Sequence, residues 1–290
     1  MTEDQLAILA AACTRARLDA RGAVLLRYHV NAVFHLPHEG AVARMSASRR
    51  IEQARTGVRV TRWLCTKGFP AAEPLDVEQP VEVGDQVVTF WRYYDQTDRR
   101  LPPLRELARL LRHLHSFDLP PFPLATYRPL DSFCEELKTH GPTVLDAPGY
   151  DFLYRRAAEL LRASRELTSA LGPGLIHGDA RRGNMLWNGE TVVLGDWDSV
   201  SSGPRELDLV ISYQGTRYGR SEADLDDFAR VYGWDVRQWP GYTTLRDIRD
   251  LQTLGAPLRL AVGRSDVADE LHHRVRGLRA GDQAQQWSSF

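Results

Sequence analysis

The chain has 290 residues, 43% of them hydrophobic and 26% charged, with 37 basic against 38 acidic side chains and a net charge of -1. That length carries a sizeable core and favours two domains or lobes over one, while the balanced composition excludes a disordered chain and gives no electrostatic reason for a nucleic-acid or anionic-membrane partner. The three cysteines, Cys13, Cys65 and Cys134, are odd in number and far apart, which excludes a disulfide framework or a close-spaced zinc site and fits a reducing cytoplasm.

The first element is a helix, because Leu6, Leu9, Ala10 and Cys13 recur at helical spacing behind Thr2 as a cap. Acidic residues stand where a signal peptide needs positive charge, and no apolar run approaches the roughly 20 residues of a membrane span. Three strand-like runs follow at residues 23–28, 32–36 and 41–45, the last two joined through Pro37-His38-Glu39-Gly40. Residues 47–66 read as a helix with Ile51, Ala54, Val58 and Leu64 broadly on one face, ended by Gly68 and Pro70. Two more strands, 81–83 and 87–91, flank the turn residues Gly84-Asp85.

After about residue 93 the texture becomes helical. Leu104, Leu107, Leu111 and Leu114 form an apolar stripe at steps of three and four, closed by Pro120-Pro121. The coarse plan is a front half of five strands and one helix, residues 1–94, and a helical back half, residues 95–290. Farther on, Trp234, Trp239, Tyr242, Leu245, Ile248, Leu251 and Leu254 read as core. The acidic run 222–227 reads as a solvated helix face, with an amine-binding surface as the alternative.

The chemistry concentrates in one segment. Leu175-Ile176-His177-Gly178-Asp179 brings an apolar run up to a carboxylate, and Arg181-Arg182-Gly183-Asn184 leads into Met185-Leu186-Trp187. Asn188-Gly189 is a strong hairpin signal, and Thr191 to Asp196 returns. With Asn188 and Gly189 as the turn, Asn184 faces Val193 and Asp196 lies opposite Arg181, so Asp179, Asn184 and Asp196 meet at the open end of the hairpin. Phosphoryl transfer from a nucleotide needs a carboxylate to deprotonate the accepting hydroxyl and oxygen ligands to hold Mg²⁺ against the phosphates. These residues are that set.

His177-Gly178-Asp179, four residues, Asn184, then Asp196-Trp197-Asp198 resembles the pattern of the aminoglycoside phosphotransferase and choline kinase-like family. Asn31-Ala32-Val33-Phe34, Leu114-His115 and the segment from Gly203 to Leu209 are similar to further family segments, in family order over roughly residues 20–215. The resemblance implies an α+β, two-lobed protein kinase-like fold, with a small β-sheet N-lobe carrying one helix, a larger mainly helical C-lobe, and ATP in the cleft.

The resemblance also implies roles. Asp179 is the catalytic base, Asn184 and Asp196 are Mg²⁺ ligands, and Arg181 offsets charge on the transferred phosphoryl group. Arg44, at the end of the third strand, grips the α- and β-phosphates, with Glu52 on the following helix to orient it. The phosphates rest under His29-Val30-Asn31, and adenine packs against the linker from Trp91 through Tyr93 to Tyr94. His177 holds the loop by hydrogen bonds, and Asp208 braces it. The implied activity moves the γ-phosphate of ATP or GTP to a hydroxyl of a small molecule: an aminoglycoside or related antibiotic, or else an amino alcohol, sugar or amino sugar. A kinase-like binding module without turnover is the remote alternative. No nucleic-acid or membrane partner is expected, and the sequence leaves the oligomeric state open.

Overall fold

The structure, a computed structural model, describes residues 2–28 and 31–289. In chain order the elements are α1 (Glu3–Ala16), β1 (Val24–Tyr28), β2 (Ala32–Leu36), β3 (Ala41–Ala47), α2 (Ile51–Thr66), β4 (Val81–Val83), β5 (Gln86–Arg92) and α3 (Leu104–Leu114). There follow α4 (Asp131–Val144), α5 (Ala147–Arg165), β6 (Pro173–Ile176), β7 (Met185–Asn188), β8 (Thr191–Leu194) and β9 (Ser201–Pro204). Helices α6 (Glu206–Tyr213), α7 (Glu222–Tyr232), α8 (Tyr242–Gln252), α9 (Gly255–Leu260) and α10 (Ser265–Ala280) complete the chain. The α+β plan of an antiparallel sheet followed by a mainly helical part is the one expected. Residues 48–50 form a 3₁₀ turn, so the α-helix expected from residue 47 starts at Ile51.

Two compact units make up the chain, one of Met1–Leu124 with His177–Ser201 and the other of Ala125–Ile176 with Ser202–Phe290. This division cuts the chain elsewhere than the expected boundary near residue 94, and it groups the β7–β8 hairpin with the sheet. Hydrogen bonds explain the grouping. On one edge Ala72 N–H donates to Leu194 O and Leu194 N–H to Pro70 O, each at 2.9 Å. On the other, the Gln96 side chain acts as an extra strand, donating to Trp187 O and accepting from Trp187 N–H, both at 3.0 Å.

In the first unit the sheet order is β1-β2-β3-β5-β4, all antiparallel. Alternation along the strands sorts its two faces. Phe34, Leu36, Ala41, Ala43, Met45, Val88 and Phe90 share a core with Leu9, Ala12, Cys13 and Ala16 of α1. Thr2 caps α1 as expected, accepting from Gln5 N–H while Gln5 Oε1 accepts from Thr2 N–H. The opposite face carries Val33, Val42, Arg44, Thr89 and Trp91, paired as Val33 with Arg44, Arg44 with Thr89 and Val42 with Trp91. α3 buries the Leu104, Leu107, Leu111 and Leu114 stripe read from the sequence.

In the second unit every residue of α6 is buried, the acids Glu206 and Asp208 included. Its buried Glu206 accepts from Ser169 Oγ–H at 2.8 Å and Leu171 N–H at 2.8 Å. Leu245, Ile248, Leu251 and Leu254 are core, as read from the sequence. Arg217 and Asp250 form a buried ion pair at 2.8 Å. Arg217 also donates to Asp282 O at 2.7 Å and stacks 4.7 Å from the ring of Trp287, which fastens the segment after α10.

Candidate active site

The loop between β6 and β7 is shaped by one glycine and one histidine. Gly178 sits at φ +79°, and a Cβ there meets Ser199 O at 2.3 Å, so only glycine lets the two segments approach. Asp179 N–H donates to His177 Nδ1 at 3.3 Å, which leaves Nε2 to carry the ring proton and donate to Gly195 O at 2.9 Å. His177 is fully buried, its ring 4.5 Å from that of Trp197, and it fastens the loop to the returning strand. That is the holding role implied for it.

The hairpin differs from expectation by one place. Its pairs are Met185 with Leu194, Leu186 with Val193, Trp187 with Val192 and Asn188 with Thr191, so the turn is Gly189-Glu190 and Asn184 lies opposite Gly195 rather than Val193. Gly195 N–H donates to Asn184 O at 2.8 Å. Gly189 adopts φ +60° and Glu190 keeps a negative one, the pattern of a turn that needs glycine at its first central position. The convergence survives the shift. Asn184 Nδ2 donates to Asp179 O at 2.9 Å and lies 3.4 Å from its Oδ2. Arg181 Nε donates to the same Oδ2 at 3.1 Å.

Just beyond β8, Asp196 takes a left-handed φ of +62°, which turns the chain into a short 3₁₀ segment, Trp197–Ser199. Trp197 is buried and donates from Nε1 to Leu194 O at 2.8 Å, so the two acids flanking it face the same neighbourhood. A small residue on α2 makes room: a Cβ on Gly57 meets Trp197 O at 3.2 Å.

Arg44 reaches this segment from β3. Its guanidinium is 2.9 Å from Asp196 Oδ1 and 2.5 Å from Asp198 Oδ1. Burial works against that charge, and the two carboxylates outweigh it, so the Arg44 pKa is raised. Glu52, the implied partner of Arg44, is elsewhere: its side chain is 73% exposed and pairs with Arg55 three residues along the helix. The difference follows from the helix start, because residues 48–50 turn as 3₁₀ and place Glu52 in the first turn of α2.

Trp91 lies on the Arg44 face of the sheet and donates from Nε1 to Thr89 Oγ1 at 2.9 Å. Tyr93 stacks on His35 with ring centroids 4.0 Å apart. The linker amides of Arg92 and Tyr93 already donate to Glu73 O and Gly40 O, both at 2.8 Å, so an adenine on this linker finds those two engaged. Asn31 immediately precedes β2, and His29 and Val30, expected above the phosphates, lie outside the described residues. Asp208 is fully buried in α6.

The sequence reading missed the ion pairs of Arg44 with Asp196 and Asp198. It also missed the edge pairing of residues 70–72 with β8, which a loop-like Pro-Ala-Ala gives no strand signal for. Among the described residues no three His, Cys, Asp or Glu side chains cluster as a metal cage, and no helix is long and apolar enough to cross a membrane.

A five-stranded sheet presenting a cation to a hairpin that gathers Asp, Asn and Asp is the arrangement of a kinase-fold phosphotransferase. The chain belongs to the phosphotransferase enzyme family (APH), whose model matches residues 27–248, and it is a small-molecule kinase by class. No curated protein sequence matches it. Among solved structures it is similar to amicoumacin kinase hAmiN in complex with AMP-PNP, Ca²⁺ and Ami, at 14% identity over 99% of this chain and 96% of that one, TM-score 0.75. It is similar to a choline/ethanolamine kinase family protein from Mesorhizobium loti, at 18% identity over 97% and 93%, TM-score 0.65. Spectinomycin phosphotransferase APH(9)-Ia, in complex with ADP and spectinomycin, is 14% identical over 97% and 94%, TM-score 0.65. These likenesses give the protein kinase-like fold.

Proposed function

We propose that this protein transfers the γ-phosphate of ATP, or of GTP, to a hydroxyl of a small molecule. The observation that carries the reading is the convergence of Asp179, Asn184 and Asp196 at one hairpin end, with Arg44 brought to it from the sheet. Asp179 takes the proton of the accepting hydroxyl as its oxygen bonds to the γ-phosphorus and the bond to the β-phosphate oxygen breaks. Arg181 and Asn184 fix the plane of that carboxylate through Oδ2. Arg181, about half exposed, also offers positive charge beside the transferred group.

The donor set fits Mg²⁺. With Asn184 Nδ2 turned to Asp179, its amide oxygen faces away from that bond, and Asp196 supplies a carboxylate. Mg²⁺ takes one or two carboxylates plus substrate phosphates rather than an all-protein cage, and Asn184 with Asp196 is a donor set of that size. When bound, the ion offsets phosphate charge. Val33, Val42 and Trp91 offer an apolar face for the nucleotide base, beside the stacked His35 and Tyr93, and Asn31, immediately before β2, is the described residue of the segment assigned to the phosphates.

For the acceptor, the neighbours that act on amicoumacin and spectinomycin support an aminoglycoside or related antibiotic. A second reading, a metabolic amino alcohol, sugar or amino sugar, is favoured by a specific observation. The acidic run on α7 is partly offset by Arg237, which pairs with Glu222 at 2.9 Å, with Asp226 and also with Asp235 at 2.7 Å, and by Arg230, which pairs with Asp227. A polycation binding there has to displace these arginines from Glu222, Asp226 and Asp227. A reducing cytoplasm remains the compartment this reading implies.

The test is a nucleotide-consumption screen with ATP and GTP against antibiotics, amino alcohols and sugars, run with and without Mg²⁺. Asp179→Asn is expected to lose at least about 100-fold in turnover while keeping its fold by circular dichroism. Unchanged turnover in that variant sinks the mechanism.

A further inference from the structure

The central strand β3 delivers one cation to two acids, and that pairing is the least expected feature of the site. Glu52, the acid of α2, pairs with Arg55. The Arg44 guanidinium bridges Asp196 and Asp198, with the Arg44 side chain 15% exposed and the acids 28% and 17% exposed. The two carboxylates flank buried Trp197 in one 3₁₀ segment, so their separation is fixed and their mutual repulsion needs a counter-ion. Arg44 supplies it at hydrogen-bonding distance.

We infer that Arg44 is the resident counter-cation of the Asp196 and Asp198 pair, standing in for the divalent metal until nucleotide phosphates draw the guanidinium away. The inference rests on the kinase reading above and adds an order to it. A divalent ion approaching Asp196 alone meets a fixed positive charge within 3 Å of the same carboxylate oxygen. A nucleotide changes the balance, because its phosphate oxygens accept two parallel N–H bonds from a guanidinium and release Asp196 to the metal. Metal and nucleotide are thereby coupled, each favouring the other by the same factor. Arg44 acts as a positioning residue: without ligands it holds both acids where they are needed, and with ligands it changes partner. A lysine at this position keeps the charge but not the two-pronged contact.

Binding of Mn²⁺ in the absence of nucleotide, followed by electron paramagnetic resonance on the whole chain, tests this directly. The wild type is expected to bind Mn²⁺ weakly alone and much more tightly once AMP-PNP is present. Arg44→Met is expected to bind Mn²⁺ alone about tenfold more tightly than the wild type, since a unit charge a few ångströms away is removed. Its affinity is expected to respond less to AMP-PNP. Arg44→Lys retains the charge and is expected to stay near the wild type. Arg44→Gln serves as the neutral variant if circular dichroism shows Arg44→Met unfolded. Equal Mn²⁺ affinity in wild type and neutral variant overturns the inference, as does tight Mn²⁺ binding by the wild type without nucleotide. Turnover by the wild type tests the kinase reading separately, so a silent enzyme and an unchanged Mn²⁺ titration are different failures.

Discussion

Gly178→Ala probes the geometry of the catalytic loop with a single methyl group. Two costs add. Placing a β-carbon on a left-handed residue costs roughly 1–2 kcal/mol, and at φ +79° Gly178 is such a residue. That carbon then lies 2.3 Å from Ser199 O, a backbone atom, so the loop and the 3₁₀ segment have to separate. Overpacking of this kind costs roughly 1–3 kcal/mol more, which brings the total to about 2–5 kcal/mol. The separation also moves Asp179 away from the segment bearing Asp196 and Asp198, and a shift of about 1 Å in a reacting group lowers turnover about 100-fold. Gly183→Ala is the control, since Gly183 is exposed, keeps a negative φ and has nothing within 4 Å of an added Cβ. Urea unfolding followed by circular dichroism, with nucleotide turnover on the same samples, compares the two. A Gly178→Ala protein within about 0.5 kcal/mol of Gly183→Ala, the usual scatter of surface substitutions, refutes the reasoning.

Two further outcomes follow from buried charge and buried sulfur. Arg217→Met leaves Asp250, 1% exposed, without its ion-pair partner, so a loss of about 3–5 kcal/mol in urea unfolding is expected, and a variant as stable as the wild type contradicts the pairing. Cys13 is 1% exposed, and burial, with the nearby charges of Glu39 and Asp19, pushes its thiol up to about 11. At pH 8 Cys13 is therefore expected to be the slowest of the three cysteines to alkylate in the folded protein, read by peptide mass spectrometry, and fast modification there contradicts the packing of α1 on the sheet.

Much of this was legible in the residues because local periodicity decides it. The strands and α3 follow from alternation and from the Leu104 to Leu114 stripe, which depend only on neighbours in sequence. The Asp179, Asn184 and Asp196 set was legible because one hairpin joins them. The turn itself was misplaced by one residue because Asn188-Gly189 admits two registers, and the positive φ of Gly189 alone selects the second. The partners of Arg44 were illegible for a different reason. Strand periodicity says which face Arg44 occupies, but the acid it meets depends on where a 3₁₀ turn starts α2 and on how closely Gly57 lets Trp197 approach. Arg237, beyond the end of α7, is the same kind of case: a charge run reads as solvated until a cation outside the helix is seen to pair with it.

The bond between Arg44 and Asp198 joins residues 154 positions apart. On a ribosome the sheet and its arginine emerge long before the acids that neutralise it, and residues 125–176, which belong to the other compact unit, are synthesised in between. The first unit therefore closes only after part of the second has left the exit tunnel. Until then Asp196 and Asp198 are not there to meet Arg44. Contacts of such long range form slowly, so assembly of the site belongs to the end of folding and not to its beginning.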